Sequence, residues 1–199
     1  MYEVKLNSSV LRIAQRLFLG AGFVMLAYAG GTVAYASIYQ QYQSWKFDKA
    51  VTAPRVTKVA IVEEAVDLRE GVVVGKLLIP RIGISVMVLH GMEEATLVAG
   101  AGHVPGTPLA GVEGNFVIAA HRDTFFRKLE GIVPGDRIQF ATARRTYEYV
   151  VDSSEIVDPE DTRPMESRAR PELTLITCYP FYFVGSAPKR FIVHAHPQK

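Results

Sequence analysis

A single cysteine, Cys178, occurs among 199 residues. No intramolecular disulfide can form, and no Cys-x-x-Cys metal or redox pair exists. Charge is nearly balanced: 22 basic and 20 acidic residues leave a net +2, so no strong electrostatic partner is implied. No basic stripe with interleaved aromatics occurs, which argues against a nucleic-acid partner. There are no internal repeats. His194 and His196 lie two apart on an expected strand and face one side, but two histidines without a third ligand are weak evidence for zinc. With His90 and His103 they read as structural or surface residues. No metal and no cofactor is expected.

What the chain does contain is one long uncharged segment. Leu17 to Tyr39 carries no charged residue. As a helix it would span roughly 34 Å, enough to cross a bilayer core. Gly20, Gly22, Gly30 and Gly31 would weaken a water-soluble helix but are tolerated in lipid. Tyr28, Tyr35, Tyr39, Tyr42 and Trp45 cluster toward its second end, as interfacial aromatics do. A cleaved signal peptide is the alternative. Lys5, Arg12 and Arg16 would be its basic region, and Ala34-Tyr35-Ala36 its cleavage site. The apolar run is longer than a usual signal-peptide core, which favours a retained anchor over 17–39 after a stub over 1–16. Lys46, Lys49, Arg55 and Lys58 balance the basic residues on the other side, so the positive-inside count does not decide orientation. A short stub inside and a large domain outside is the common arrangement, and it is the one expected here.

Residues 40–73 read as a linker or stalk. Pro54 breaks helix. Val56, Val59, Val62 and Val66 fall near helical spacing, and Gly71 could end such a helix; a disordered stalk is the alternative. From 74 to 199 the texture changes to short β-branched runs punctuated by Gly and Pro. Strands are predicted at 75–80, 84–89, 115–120, 136–142, 145–157, 173–178 and 190–195, with tight turns at Arg81-Ile82-Gly83 and Arg144-Arg145. Residues 101–108 are too rich in breakers for regular structure. Asp123 is a good N-cap, and Phe126 and Leu129 suggest one or two helical turns after it. This pattern favours a closed all-β barrel over a doubly wound sheet.

Cys178 ends the apolar run Thr174-Leu175-Ile176-Thr177-Cys178. His121 follows Asn115-Phe116-Val117-Ile118-Ala119-Ala120, and Arg190 opens Arg190-Phe191-Ile192-Val193. A thiol, an imidazole and a guanidinium, each at a strand edge, are the parts of a thiol acyl-transfer site. The thiol attacks an amide only as thiolate. At reference pKa values near 8.5 and 6.5, the thiolate–imidazolium pair is about one percent of the neutral pair, so a nearby fixed cation such as Arg190 would help. The same guanidinium can hold a developing oxyanion, while His121 protonates the leaving amine and deprotonates the incoming nucleophile. Each residue also has a plain reading. A lone cysteine is commonly a small buried hydrophobe, Arg190 beside Lys189 a solvated pair, and His121 beside Arg122 and Asp123 a surface turn.

The stretch Thr174-Leu175-Ile176-Thr177-Cys178, followed by Lys189-Arg190-Phe191-Ile192-Val193, resembles the TLxTC…R signature of sortases. Pro105-Gly106-Thr107, Gly114-Asn115-Phe116-Val117-Ile118-Ala119 and His121-Arg122-Asp123-Thr124-Phe125-Phe126 resemble the segment bearing the family histidine. With the stretch Cys178 to Pro188, they are most similar to class D sortases, over about residues 74 to 195. The resemblance implies an eight-stranded sortase-type β-barrel with short helices, preceded by one N-terminal transmembrane helix. It implies Cys178 as nucleophile, His121 as acid/base and Arg190 as oxyanion and substrate clamp. Thr177 and Tyr179 are the expected substrate contacts, and the loop from Tyr179 to Pro188 is expected to contribute to specificity. Sortases are membrane-anchored cysteine transpeptidases that cleave LPxTG-like C-terminal sorting signals after Thr. They pass the acyl group to an amine acceptor such as a cell-wall precursor or a pilin lysine. The implied place is the cell membrane, single-pass, with the catalytic domain extracytoplasmic and residues 17–39 in the bilayer.

Ala120 stands where the family often has Gly before the histidine. Residues 46–73 lack the Asp-Pro-aromatic motif of a pilus-type lid. No single loop gathers the acidic residues of a calcium site: Glu93-Glu94 and Asp158-Glu160-Asp161 read as solvated faces. Two other functions compete. One is a membrane-anchored cysteine endopeptidase that hands the acyl group to water. The other is a non-catalytic barrel that binds a peptide without using the thiol. A thiol-based L,D-transpeptidase is disfavoured, because no SHGC-like stretch is present.

Overall fold

The computed structural model describes residues 8–52, 68–167 and 169–198. The chain divides after Tyr39 into two compact units.

Helix α1 runs Ser8–Thr52. Its stretch Leu11–Gly31 is long and apolar enough to cross a membrane. Leu17, Phe18, Leu19, Phe23 and Leu26 along it are all exposed, which suits an apolar surrounding and not water. The uncharged window 17–39 and the most apolar stretch thus overlap but are not identical. The linker expected from residue 40 begins as helix, because residues 40–52 contain neither Gly nor Pro. Pro54 disfavours helix at the residue before it, and the helix ends at Thr52. The short valine-spaced helix expected after Pro54 lies outside the described residues.

Eight strands follow: β1 Val73–Ile79, β2 Ile84–His90, β3 Ala101–His103, β4 Asn115–Ala119, β5 Arg137–Ala141, β6 Thr146–Val157, β7 Glu172–Tyr179 and β8 Lys189–Pro197. They close into a barrel in the order β1-β2-β3-β4-β7-β8-β6-β5. The β2–β3 and β4–β7 pairs are parallel and the remaining pairs antiparallel. Closure leaves no open sheet edge among the described residues.

Strand residues alternate between the two faces, and this alternation builds the core. Leu77 and Ile79 from β1, Val86 and Val88 from β2, Phe116 and Ile118 from β4, Ile138 and Phe140 from β5, Leu173 and Leu175 from β7, and Val193 and Ala195 from β8 fill the interior. Each large side chain so buried contributes about 1.5–3 kcal/mol relative to exposure. Phe116 and Phe140 meet edge to face at 4.8 Å between centroids. A Cβ on Gly75 would sit 2.5 Å from the Phe140 ring, so this glycine lets β1 close against β5. Gly83, at φ +62°, ends the turn between β1 and β2 in a left-handed conformation.

Three local expectations need correction. Residues 101–103, read as irregular, form β3, which bridges β2 and β4. A short helix not expected from the sequence, α2 (Glu94–Ala99), precedes it. Its first turn is capped from far upstream: Glu70 Oε1 accepts from the Glu93 amide (3.1 Å) and the Thr96 hydroxyl (2.7 Å). After His121 the helical turn is a 3-10 helix at Arg127–Gly131 with Phe126, not Asp123, at its start. Phe126 and Leu129 are nevertheless fully buried, as their spacing implied.

Candidate active site

Strand register brings together the cysteine and arginine singled out above, and the histidine follows the end of the strand next to the cysteine's. Thr177 of β7 pairs with Phe191 of β8, and Cys178 pairs with Arg190. Directly opposed residues share a face, so the thiol and the guanidinium stem leave the barrel on the same side. On the other side of β7, Ala119 of β4 is level with Ile176. The ladder continues one step further, with the Ala120 amide donating to the Ile176 carbonyl at 3.1 Å. Cys178 and Arg190 therefore stand side by side on β7 and β8, about 4.8 Å apart at the backbone. His121 follows two residues after the end of β4, the strand on the other side of β7, where the chain turns. All three side chains are half-buried. Cys178 is a free thiol.

Parity also fixes which face the pair occupies. Leu173 and Leu175 point into the core, so Thr174, Ile176 and Cys178 point outward. The outer face beneath the pair is tied together by side chains. Thr174 Oγ1 donates to Asn115 Oδ1 at 2.8 Å, and Asn115 Nδ2 donates to the Pro164 carbonyl at 2.8 Å. The segment between β6 and β7 is thereby fastened over β4 and β7.

Thr177 and Tyr179 point the other way from Cys178. Thr177 is buried, and its hydroxyl donates to the Ala120 carbonyl at 2.7 Å. It sits behind the thiol and joins β7 to the end of the histidine strand. The Tyr179 ring packs edge to face with Phe181 and stacked with Phe191, at centroid distances of 5.9 and 6.3 Å. The structure thus puts the thiol and guanidinium on one face, with the histidine just past the end of the neighbouring strand, and places the two expected substrate contacts on the opposite side of β7.

Arg190 donates through Nη1 to the carbonyls of Ala187 (3.3 Å) and Lys189 (3.0 Å). Among the described residues its Nη2 and Nε have no hydrogen-bond partner, so part of the fork can meet an anionic oxygen. The loop from Pro180 to Pro188 joins β7 to β8 beside the pair and begins with a cis Tyr179–Pro180 bond. Arg122, the residue after His121, donates to three carbonyls of this loop: Pro180 (3.1 Å), Phe183 (2.8 Å) and Gly185 (3.0 Å). Nothing in the sequence marked Arg122 beyond its place beside His121.

The remaining histidines lie elsewhere. His90 and His103 form a buried pair inside the barrel, with their Nδ1 atoms 2.9 Å apart. Burial first, and then His90, hold the His103 pKa below the ordinary imidazole value. His194 sits between Glu172 and Glu155, each at 3.0 Å. His196 meets Asp152 at 2.6 Å. Asp158 and Asp161, read as solvated, pair at the surface with Lys189 and Arg163.

Comparison with known proteins gives this arrangement its context. Sortase D of Bacillus subtilis (strain 168) is 34% identical over 121 residues, which are 60% of this chain and 61% of that protein. The chain therefore matches less than two thirds of that relative's length. Sortase A of Bacillus anthracis is 26% identical over 192 residues, 85% of this chain and 90% of that protein. Among solved structures, a lid mutant of sortase A from Corynebacterium diphtheriae superposes with a TM-score of 0.61 at 32% identity, over 66% of this chain and 73% of that one. A Clostridium perfringens sortase D5 transpeptidase superposes with a TM-score of 0.67 over 83% of this chain and 99% of that one. At 22% identity this second likeness speaks to the fold alone. The family model of the sortase domain matches residues 77–198. That match runs from within β1 to the residue after β8 and so takes in nearly all of the closed barrel, and on it the chain belongs to the sortase family.

Proposed function

We propose that this chain is a membrane-anchored cysteine transpeptidase that cleaves an LPxTG-like sorting signal after its threonine and transfers the protein to an amine. The observation that supports it is the pairing of Cys178 with Arg190 across β7 and β8, with His121 just past the end of β4, the other neighbour of β7. The Cys178 thiolate attacks the threonine carbonyl carbon, forming a C–S bond and an oxyanion. The Arg190 guanidinium holds that oxyanion. Collapse breaks the C–N bond, and His121 gives its proton to the departing amine. A thioester on Cys178 remains. The acceptor amine then attacks it, its proton passes to His121, a new C–N bond forms and the thiolate is released. No metal or cofactor enters any step. Residues 17–39 anchor the enzyme in the cell membrane as a single pass, and the barrel works on the extracytoplasmic side. The acceptor is a cell-envelope amine such as a wall precursor, which attaches surface proteins to the envelope.

The test is the full chain in detergent with a fluorogenic LPxTG-type peptide, with and without hydroxylamine or oligoglycine, beside Cys178→Ala. Acceptor-linked product that disappears in the C178A protein is the expected result. Release of the free acid alone at every acceptor concentration would replace this reading with the endopeptidase. Unchanged peptide binding without turnover would replace it with the non-catalytic barrel.

A further inference from the structure

The three carbonyls gathered by Arg122 belong to one loop and converge on one guanidinium. Its carbon also lies 5.7 Å from the Phe183 ring centroid. Pro180, Phe183 and Gly185 are separated by three and two positions, so the cation closes most of the loop around itself. A cation bonded to carbonyl oxygens makes charge-assisted bonds, stronger than neutral ones. Arg122 is itself held, because the Phe126 amide donates to the His121 carbonyl at 3.0 Å and closes the turn that carries it. The loop is thus fastened to the His121 end of β4, although in sequence it connects Cys178 to Arg190. The loop carries three consecutive exposed apolar side chains: Tyr182, whose ring lies 4.7 Å from the Arg127 guanidinium carbon, Phe183, whose ring faces Arg122, and Val184, which is 99% exposed. Consecutive exposed apolar side chains on the loop that links Cys178 to Arg190 offer a contact surface for an extended peptide.

We propose that Arg122 is a positioning residue: it fixes the β7–β8 loop against the His121 turn and so sets the apolar wall along which peptide binds beside Cys178. This rests on the transpeptidase reading for its substrate, but not for the staple itself. Only arginine offers the fork that reaches several carbonyls at once, whereas lysine is a point charge on a flexible stem. Losing the staple removes binding made equally in the ground and transition states, which raises KM with little change in kcat.

The experiment compares full-length wild type, Arg122→Ala and Arg122→Lys in detergent. Hydrogen exchange is measured for amides of residues 181–187, with peptide kinetics and the rate of Cys178 alkylation by iodoacetamide. In R122A, loop amides are expected to exchange at least tenfold faster while β4, β7 and β8 amides hold. kcat/KM is expected to fall, and the loss is carried by KM with little change in kcat. Alkylation stays within twofold, and R122K does not restore the loop. Unchanged loop exchange in R122A, an unchanged KM despite faster exchange, or full rescue by R122K would each overturn the proposal. If the wild type turns over no peptide, the transpeptidase reading falls, and the exchange measurement still decides whether Arg122 fixes the loop.

Discussion

The hydroxyl of Thr177 and the carbonyl of Ala120, 2.7 Å apart, join the residues immediately before the proposed nucleophile and the proposed acid/base. Both atoms are in the interior, since Thr177 and Ala120 are 2% and 7% exposed. The spacing of Cys178 from His121 is therefore set from behind by a buried hydrogen bond, in addition to the ladder between β4 and β7.

Removing that hydroxyl while keeping the shape leaves the Ala120 carbonyl without its partner. Thr177→Val is expected to destabilise the barrel by about 1–3 kcal/mol, the cost of an unsatisfied buried polar group. Transfer activity should fall with it, because the His121 end of β4 loses its tie. Thr177→Ser keeps the donor and should stay near wild type in both. Thermal unfolding and peptide turnover of the three proteins check this. A T177V protein as stable as wild type would remove the hydrogen bond from the account.

Arg190 is opposite Cys178, and the role proposed for it depends on its fork more than on its charge. Arg190→Lys keeps the cation but loses the planar set of donors. Losing one oxyanion donor costs about 10²–10³ in kcat. The variant should therefore show a kcat reduced on that scale with KM nearly unchanged, as for an interaction made only in the transition state. Steady-state kinetics with the sorting-signal peptide separate the two parameters. A loss confined to KM would make Arg190 a substrate clamp only.

Much of this architecture was legible because it rests on period two and on punctuation. The runs Phe116–Ala119 and Phe191–Val193 are continuous and apolar, and Pro80 with Gly83 marks the β1–β2 turn. Strand β3 was hidden because it has only three residues, Ala101, Gly102 and His103, and gains its ladder from β2 and β4 rather than from local propensity. Helix α2 carries no local cap signal, since Glu93 makes no side-chain cap and Glu70 supplies the acceptor from upstream. Thr177 and Tyr179 are the substrate contacts that the resemblance implies. Strand alternation sends both to the other face, and that inference was available from the sequence once Cys178 was taken as outward. Arg122 could not be found that way, because its partners are backbone carbonyls of a loop about sixty positions downstream.

Asp136 ties the start of β5 to the turn after β1. It is nearly buried and accepts from Arg81 Nε, from Arg81 Nη2 at 2.6 Å and from the Val133 amide at 2.9 Å. Hydrogen bonding from Arg81 is the main cause holding its carboxyl below the usual carboxylate range. A depressed carboxylate adds stability that is present above its unfolded value, near 3.9, and is lost as pH falls through the folded one. The barrel should therefore lose stability below about pH 4. Arg81→Met should flatten that acid limb while lowering stability at neutral pH. Denaturant midpoints across the acid range compare the two proteins, and identical limbs would show that this pair does not drive the loss.

His103 should set a second, milder limb at higher pH. It is fully buried, and its Nε2 lies 3.1 Å from the Thr107 carbonyl. The Thr107 hydroxyl is committed to the Val104 carbonyl at 2.8 Å, so Nε2 carries the proton. The His103 Nδ1 then accepts from the His90 Nδ1, as a neutral imidazole can. Charging His103 would set N–H against N–H in the barrel interior, with Phe116 packed on the ring. Burial is accordingly the first cause of its lowered pKa and His90 the second. The folded chain then binds fewer protons than the unfolded chain between the lowered value and about 6.5. Stability is fully present above that upper value and declines as pH falls through the window. The thermal midpoint of the wild type should drop as pH falls below about 6.5, and His103→Gln, which cannot titrate, should show a flatter slope there. Parallel slopes in the two proteins would mean that His103 takes up no proton in this range and that the acid response of the barrel arises elsewhere.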